Sequence, residues 1–175
     1  ESQAQFFGPM KDLDRGMYLA VDGYYGQLLK HRPDKMPFDI PEPAIAYSFE
    51  VGKFASGRRF WHGVHKYPRI GWRGFYQSFG NDSVLGKTFS IYPFMDIGVL
   101  RRNNFALWFR MGYSFAWNTK KYDRVSNPLN TAIGSSLNNL TTLSLLAEYE
   151  IFPQWRLRIG GQFTHVSNAR YTQPN

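Results

Sequence analysis

Apolar residues recur at every second position along most of this chain. Across 103–118, Phe105, Leu107, Phe109, Met111, Tyr113, Phe115 and Trp117 alternate with Ala106, Arg110, Gly112, Ser114, Ala116 and Asn118, and Trp108 is the exception. In 141–151, Leu143, Leu145, Ala147, Tyr149 and Ile151 alternate with Thr142, Ser144, Leu146, Glu148 and Glu150. In 155–167, Trp155, Leu157, Ile159 and Phe163 alternate with Arg156, Arg158, Gly160, Gln162 and Thr164. In 44–54, Ile45, Tyr47, Phe49 and Val51 alternate with Ala46, Ser48, Glu50 and Gly52. Successive side chains of a strand point to opposite faces, so each run predicts a strand with one apolar and one polar or small-residue face. Segments 16–29, 67–79 and 86–100 carry the same signal less cleanly. The pattern predicts an all-β fold with strands longer than the usual five or six residues.

Two all-β architectures fit. A soluble sandwich buries its apolar faces, whereas a membrane barrel turns them outward to lipid and keeps polar and small residues inside. Strands of ten or more residues, aromatics at strand ends, and Gly, Ala, Ser and Thr on the second face favour the barrel. Glu50, Glu148 and Glu150 could then meet Arg110, Arg156 and Arg158 in a narrow lumen; on a sandwich they would form a solvated face. Seven strands are visible, and bacterial barrels generally close with an even number, so an eight-stranded antiparallel barrel is expected whose last strand falls beyond Asn175. The expected organisation is a periplasmic segment over 1–15 and barrel strands over 16–175. The start at Glu1, without methionine or signal peptide, reads as a processed form.

Short connections at 101–103 and 152–154 suit periplasmic turns, and long ones at 30–43 and 118–139 suit extracellular loops. The 54–66 connection is long for a turn, and 80–85 is short for a loop. On this assignment strands one and seven both run outward.

Composition narrows the partners. Aromatic residues make up 18% of the chain, well above an ordinary globular protein, and the formal net charge is +8, from 21 Lys and Arg against 13 Asp and Glu. A basic surface suits phosphate-bearing partners: nucleic acid, anionic lipid or lipopolysaccharide. The basic residues are scattered and the aromatics follow strand alternation, so nucleic acid is the weaker fit. Cysteine is absent, which removes disulfides, thiol catalysis and cysteine zinc sites. No apolar run approaches the ~18 residues of a membrane helix.

The candidate chemistry lies in Gln162-Phe163-Thr164-His165-Val166-Ser167-Asn168-Ala169. His165 and Ser167 are two apart and share a strand face with Trp155, Leu157, Ile159 and Phe163. A serine hydroxyl needs a base to become a nucleophile, and histidine is the usual one. Such a pair on an apolar face makes sense where that face touches lipid and the substrate is a lipid; otherwise the two are an interfacial histidine and a serine opening a turn. Asn168 follows the serine, where its side chain or backbone N–H could hold an oxyanion, or where it could simply form the turn. His62 and His65 have metal-pair spacing, yet no acidic cluster accompanies them, so they read as solvated loop residues. Asn127, Asn130, Asn138 and Asn139 read as loop-folding residues through local bonds, with sugar contacts as the alternative.

The segment His165-Val166-Ser167-Asn168-Ala169 followed by Gln173-Pro174-Asn175 resembles the lipid A 3-O-deacylase family. The stretch Asn127-Pro128-Leu129-Asn130-Thr131-Ala132-Ile133-Gly134-Ser135, with Leu137-Asn138-Asn139, Gly80-Asn81 and Leu85-Gly86-Lys87, is similar to longer acyloxyacyl-hydrolase-type members from Bacteroidetes. The resemblance covers most of 16–175. It implies a bacterial outer-membrane barrel that hydrolyses an acyl ester of lipid A, with Ser167 as nucleophile, His165 as base, and no metal or cofactor. The family's acid, a glutamate about a dozen residues past the serine, would fall beyond Asn175. Arg170 stands where the family often has glycine, and could reshape the oxyanion turn or meet a lipid phosphate. Lys120, Lys121 and Arg124 on the extracellular side would attract lipid A phosphates. The rival expectation is a catalytically silent barrel serving as an accessory subunit of an outer-membrane protein complex. A soluble polyanion-binding sandwich is the third.

Overall fold

In the computed structural model, residues 16–30, 35–55, 60, 64 and 67–168 are described. The period-two runs become seven strands: β1 (Met17–Gly26), β2 (Ala44–Phe54), β3 (Arg69–Ser78), β4 (Lys87–Arg102), β5 (Phe105–Asn118), β6 (Leu137–Phe152) and β7 (Trp155–Ser167). Each pairs antiparallel with its sequence neighbour in one sheet of order β1-β2-β3-β4-β5-β6-β7. Two-residue turns at 103–104 and 153–154 close one end, where Asn103 and Gln154 take positive φ. Connections 27–43, 79–86 and 119–136 gather at the other, hereafter the loop end. The proposed 1–15 segment, most of 56–66 with His62 and His65, and Arg170 lie outside the described residues.

The sheet curls into a barrel wall, because strands far apart in its order touch through their inward side chains. Arg69 of β3 reaches Glu148 of β6 at 2.7 Å, and Arg110 of β5 grips Glu50 of β2. Arg158 of β7 meets Asp22 of β1 at 2.6 Å. A flat sheet could not bring these strands together, and two packed sheets would have buried the apolar faces. Those faces point out instead: Met17, Ile91, Trp155 and Ile159 are all more than 70% exposed. This is the inverted pattern of an outer-membrane β-barrel.

Inside, Arg69, Arg73, Arg110 and Arg158 interlock with Asp22, Glu50, Asp96 and Glu148. Arg110 donates to both oxygens of Asp96, at 2.6 and 2.9 Å, as well as to Glu50. Buried charges survive only when paired and hydrogen-bonded, and here cations and carboxylates balance one for one. The expected Glu50–Arg110 and Glu50–Arg158 meetings are present, and Arg156 stands 3.6 Å from Glu150. Asp22, Arg69, Arg73 and Asp96 join them from strands whose alternation was less clean.

The lumen is less uniformly polar than expected. Phe54, Trp108 and Leu146 form an apolar cluster inside it, so the misplaced Trp108 is a lumen residue, 1% exposed. The Arg69 guanidinium lies 4.0 Å from the Trp108 ring centroid, and Arg110 lies 4.0 Å from that of Phe94. Aromatic faces thus complete the arginine environments that carboxylates leave open. Gly112 makes the room: a Cβ there would sit 2.4 Å from the Tyr92 ring.

A second apolar cluster caps the loop end. Phe38, Phe79, Leu85 and Ile133 are buried together from three different connections. Polar ties hold it: Asn81 donates to the Asp39 carbonyl at 2.7 Å, Thr131 to that of Lys35 at 2.6 Å, and Asn127 to that of Val84 at 2.9 Å. Asn130 accepts from the Ile133 N–H at 3.1 Å, the local bond expected of it. Asn138 makes the expected local bond, to the Ser135 carbonyl at 2.7 Å, but the loop placement of Asn138 and Asn139 is corrected. Strand β6 starts at Leu137, so both are strand residues. Asn138 points inward and links Ser135 to Asn118, while Asn139 faces out.

Candidate active site at the loop end of β7

Strand β7 runs from the turn end to the loop end, and three inward side chains fix its rotation. Arg158 is locked by Asp22 and Glu50. Gln162 accepts from Arg73 at 3.0 Å and donates to Thr164 at 3.0 Å. Val166 packs against both the lumen cluster of Phe75, Tyr92 and Leu140 and the loop cap. With 158, 162 and 166 turned inward, the strand period leaves Ile159, Phe163, His165 and Ser167 on the outer side. Ile159, Phe163 and His165 are exposed and Ser167 is half-buried.

Two residues apart on one face, His165 and Ser167 have their Cβ atoms about 7 Å apart, a gap their side chains can bridge. Their neighbours come from β6. Thr141 stands opposite His165 in the register, and Asn139 opposite Ser167. Directly opposite Cβ atoms lie about 4.5–5.5 Å apart, so both pairs are in contact range. Tyr113 and Phe115 follow on β5, in register with Thr141 and Asn139. The setting is a polar island of four side chains on an apolar and aromatic wall. Neither Thr141 nor Asn139 is assigned to this pair by the sequence; extending the β6 alternation back past Thr141 puts both on the outer face, and the register then sets them opposite His165 and Ser167.

Asn168 lies one residue past β7 and is 5% exposed. Lys120, Lys121 and Arg124 are exposed in the loop after β5. Lys120 donates to the Ser83 carbonyl at 2.5 Å. The structure places these cations at the same end of the barrel as His165 and Ser167. In the turn beside them, Asp123 accepts the Val125 and Ser126 N–H groups at 3.0 and 2.8 Å, which holds its carboxyl below the usual range. Among the described residues no group of three or more metal-ligating side chains occurs.

No curated protein and no solved structure matches the chain significantly. A family model does: lipid A 3-O-deacylase (PagL), over residues 47–175. The matched region takes in most of β2 and every later strand, and so the whole surround of the His165–Ser167 pair. With that much of the chain inside the match, and with the outward-apolar barrel that such an enzyme needs to meet its lipid, the chain belongs to the lipid A 3-O-deacylase family.

Proposed function

We propose that this barrel sits in the outer membrane with its loop end outward and deacylates lipid A there, with Ser167 as nucleophile and His165 as base. Family membership supports the reaction class and substrate. The observation that carries the residue assignment is the placement of the two on the lipid-facing side of β7, held there by Arg158, Gln162 and Val166 on the other side. In this scheme His165 takes the Ser167 Oγ proton as the oxygen attacks the ester carbonyl. An N–H of Asn168, from side chain or backbone, would meet the tetrahedral oxyanion. Collapse releases the lipid alcohol, which recovers the proton from His165, and water then hydrolyses the acyl-serine. An apolar wall keeps competing water away from the ester and strengthens each hydrogen bond to the oxyanion. Thr141 and Asn139 would orient the imidazole and hydroxyl from β6. Lys121, Arg124 and Arg170 would attract the phosphates at the loop end, with Lys120 as a fourth cation.

The test is mass spectrometry of lipid A incubated with the full-length protein and with Ser167→Ala and His165→Ala. Loss of one acyl chain in the parent, abolished in both variants, is the expected result. Deacylation that survives Ser167→Ala would refute the nucleophile. Unchanged lipid A with a folded parent would favour the accessory-subunit role.

A further inference from the structure

The outward wall of β2–β4 has a gap. Outward positions in this region carry large side chains: Tyr47 and Phe49 on β2, Trp72 and Tyr76 on β3, Phe89 and Ile91 on β4. Between Phe49 and Ile91 in the register stands Gly74. A Cβ built there would meet only the Phe49 carbonyl, at 3.9 Å, so the space above it is open. The result is an apolar notch, floored by Gly74 and walled by Phe49 and Ile91.

Above the notch, toward the loop end, the wall becomes aromatic and then basic. Tyr47 stacks on Tyr76 with centroids 6.2 Å apart, and Tyr76 meets Phe89 at 5.2 Å. Lys87, two residues past Phe89, holds its ammonium 5.9 Å from the Tyr76 ring. Its ion pair with Asp82 spans 3.5 Å, with both side chains nearly half exposed. A pair so exposed is weak, and a phosphate can displace it at small cost. From the barrel middle to the loop end the order is thus apolar slot, aromatic belt, exposed cation. That order matches acyl chain, interfacial region and phosphate in a membrane lipid.

We propose that this wall holds a lipid A molecule that is not the one being cleaved, with one acyl chain in the notch over Gly74 and a phosphate on Lys87. The choice of lipid A rests on the outward orientation of the loop end proposed above, not on the hydrolytic pair. Cleavage does not belong to this wall. The serines nearest the notch, Ser48 and Ser90, point into the barrel, where Ser90 bonds Ser114 at 2.6 Å. The distance to β7 is four strand spacings, about 19 Å along the wall.

Native mass spectrometry of the full-length Ser167→Ala protein, titrated with lipid A from detergent, tests this. Gly74→Trp fills the notch and is expected to bind one lipid A fewer, while Gly74→Ala keeps the parent count. Lys87→Glu, or lipid A stripped of phosphate, is expected to weaken that one lipid roughly fivefold. With Ser167 intact, Gly74→Trp should cleave lipid A within twofold of the parent. Equal lipid counts in Gly74→Trp and the parent would overturn the site. Phosphatidylethanolamine displacing lipid A at equal concentration would overturn its identity. Loss of cleavage together with the lost lipid would show the notch to be part of the substrate site and overturn the second-lipid reading. The count is read in a protein that cannot cleave through Ser167, so it stands or falls apart from the mechanism.

Discussion

The two faces of β7 handle polar groups in opposite ways. Facing in, Arg158 has Asp22 on one side and Glu50 on the other, and Gln162 is held by Arg73. Facing out, His165 and Ser167 stand among Thr141, Asn139 and aromatic rings, with no carboxylate on the outward positions of β6 among the described residues. The inner face spends its polarity on holding the wall together. The outer face carries His165 and Ser167, the proposed catalytic pair, on the side that meets lipid. A strand can serve both ends because its two faces are separately addressable, and the rigid inner side sets the direction of the outer one.

The contrast gives a largest effect in activity with almost none in stability. Ser167→Ala and His165→Ala are each expected to lower lipid A turnover by roughly 10⁴-fold or more. Unfolding free energy should stay within about 0.5 kcal/mol of the parent, as for other surface changes. Turnover assays beside denaturant melts in detergent micelles check both, and a large loss of stability in either variant breaks the division between the faces.

Glu50→Gln should do the reverse. It removes a carboxylate that serves both Arg110 and Arg158, each buried. Removing one anion from such an arrangement costs up to about 3–5 kcal/mol, because one buried positive charge is left uncompensated even though Arg110 keeps Asp96 and Arg158 keeps Asp22. The unfolding midpoint, read by loss of the folded-barrel band on unheated gels, should fall markedly. A midpoint equal to that of the parent would mean the lumen charges are solvated after all.

Val166→Ala probes the link between faces. The side chain touches the lumen cluster and the loop cap, with His165 and Ser167 on either side of it in sequence. A stability loss of about 1 kcal/mol is expected from the removed methyls. A fall in kcat with little change in KM would mark displacement of the pair, and an unchanged kcat would separate aim from packing.

The smallest effect concerns Asp123, outside the wall. Its carboxylate accepts two turn N–H groups, first and foremost that of Ser126, so its folded pKa lies below its unfolded value. A depressed carboxyl contributes order that is present above the unfolded pKa, about 3.9, and is lost as pH falls through the lower folded value. The Val125 and Ser126 amide shifts, followed by NMR, should titrate with a midpoint below 3.9. A midpoint at or above it would contradict the turn.

Strand alternation made most of this barrel legible before any coordinates, because side-chain direction in a sheet follows from position alone. It located all seven strands and the face carrying His165 and Ser167. Position alone also puts Trp108 on the inner face, but not the reason an indole belongs there: its partner is Arg69 of another strand, which no local pattern encodes. Reading Asn138 and Asn139 as loop residues missed the start of β6. Asparagine disfavours strands, and here the cross-strand bond of Asn138 to Asn118 overrides that preference. The lumen partners Asp22, Arg69, Arg73 and Asp96 were invisible for the same reason, since ion pairing at a distance depends on how the sheet curls. Likewise the site neighbours Thr141 and Asn139 follow from register, which period alone does not set.

Every ladder in this sheet joins strands adjacent in sequence, so the wall can assemble hairpin by hairpin, closing no connection longer than that over 119–136 at each step. The Arg158–Asp22 bond is of another kind: it joins residues 136 positions apart. It cannot form until the intervening strands have taken their register, and one slipped strand would turn its side chain to the wrong face. Arg158 therefore acts as a late checkpoint in folding, and a substitution there should slow the final step of insertion while leaving the early hairpins untouched.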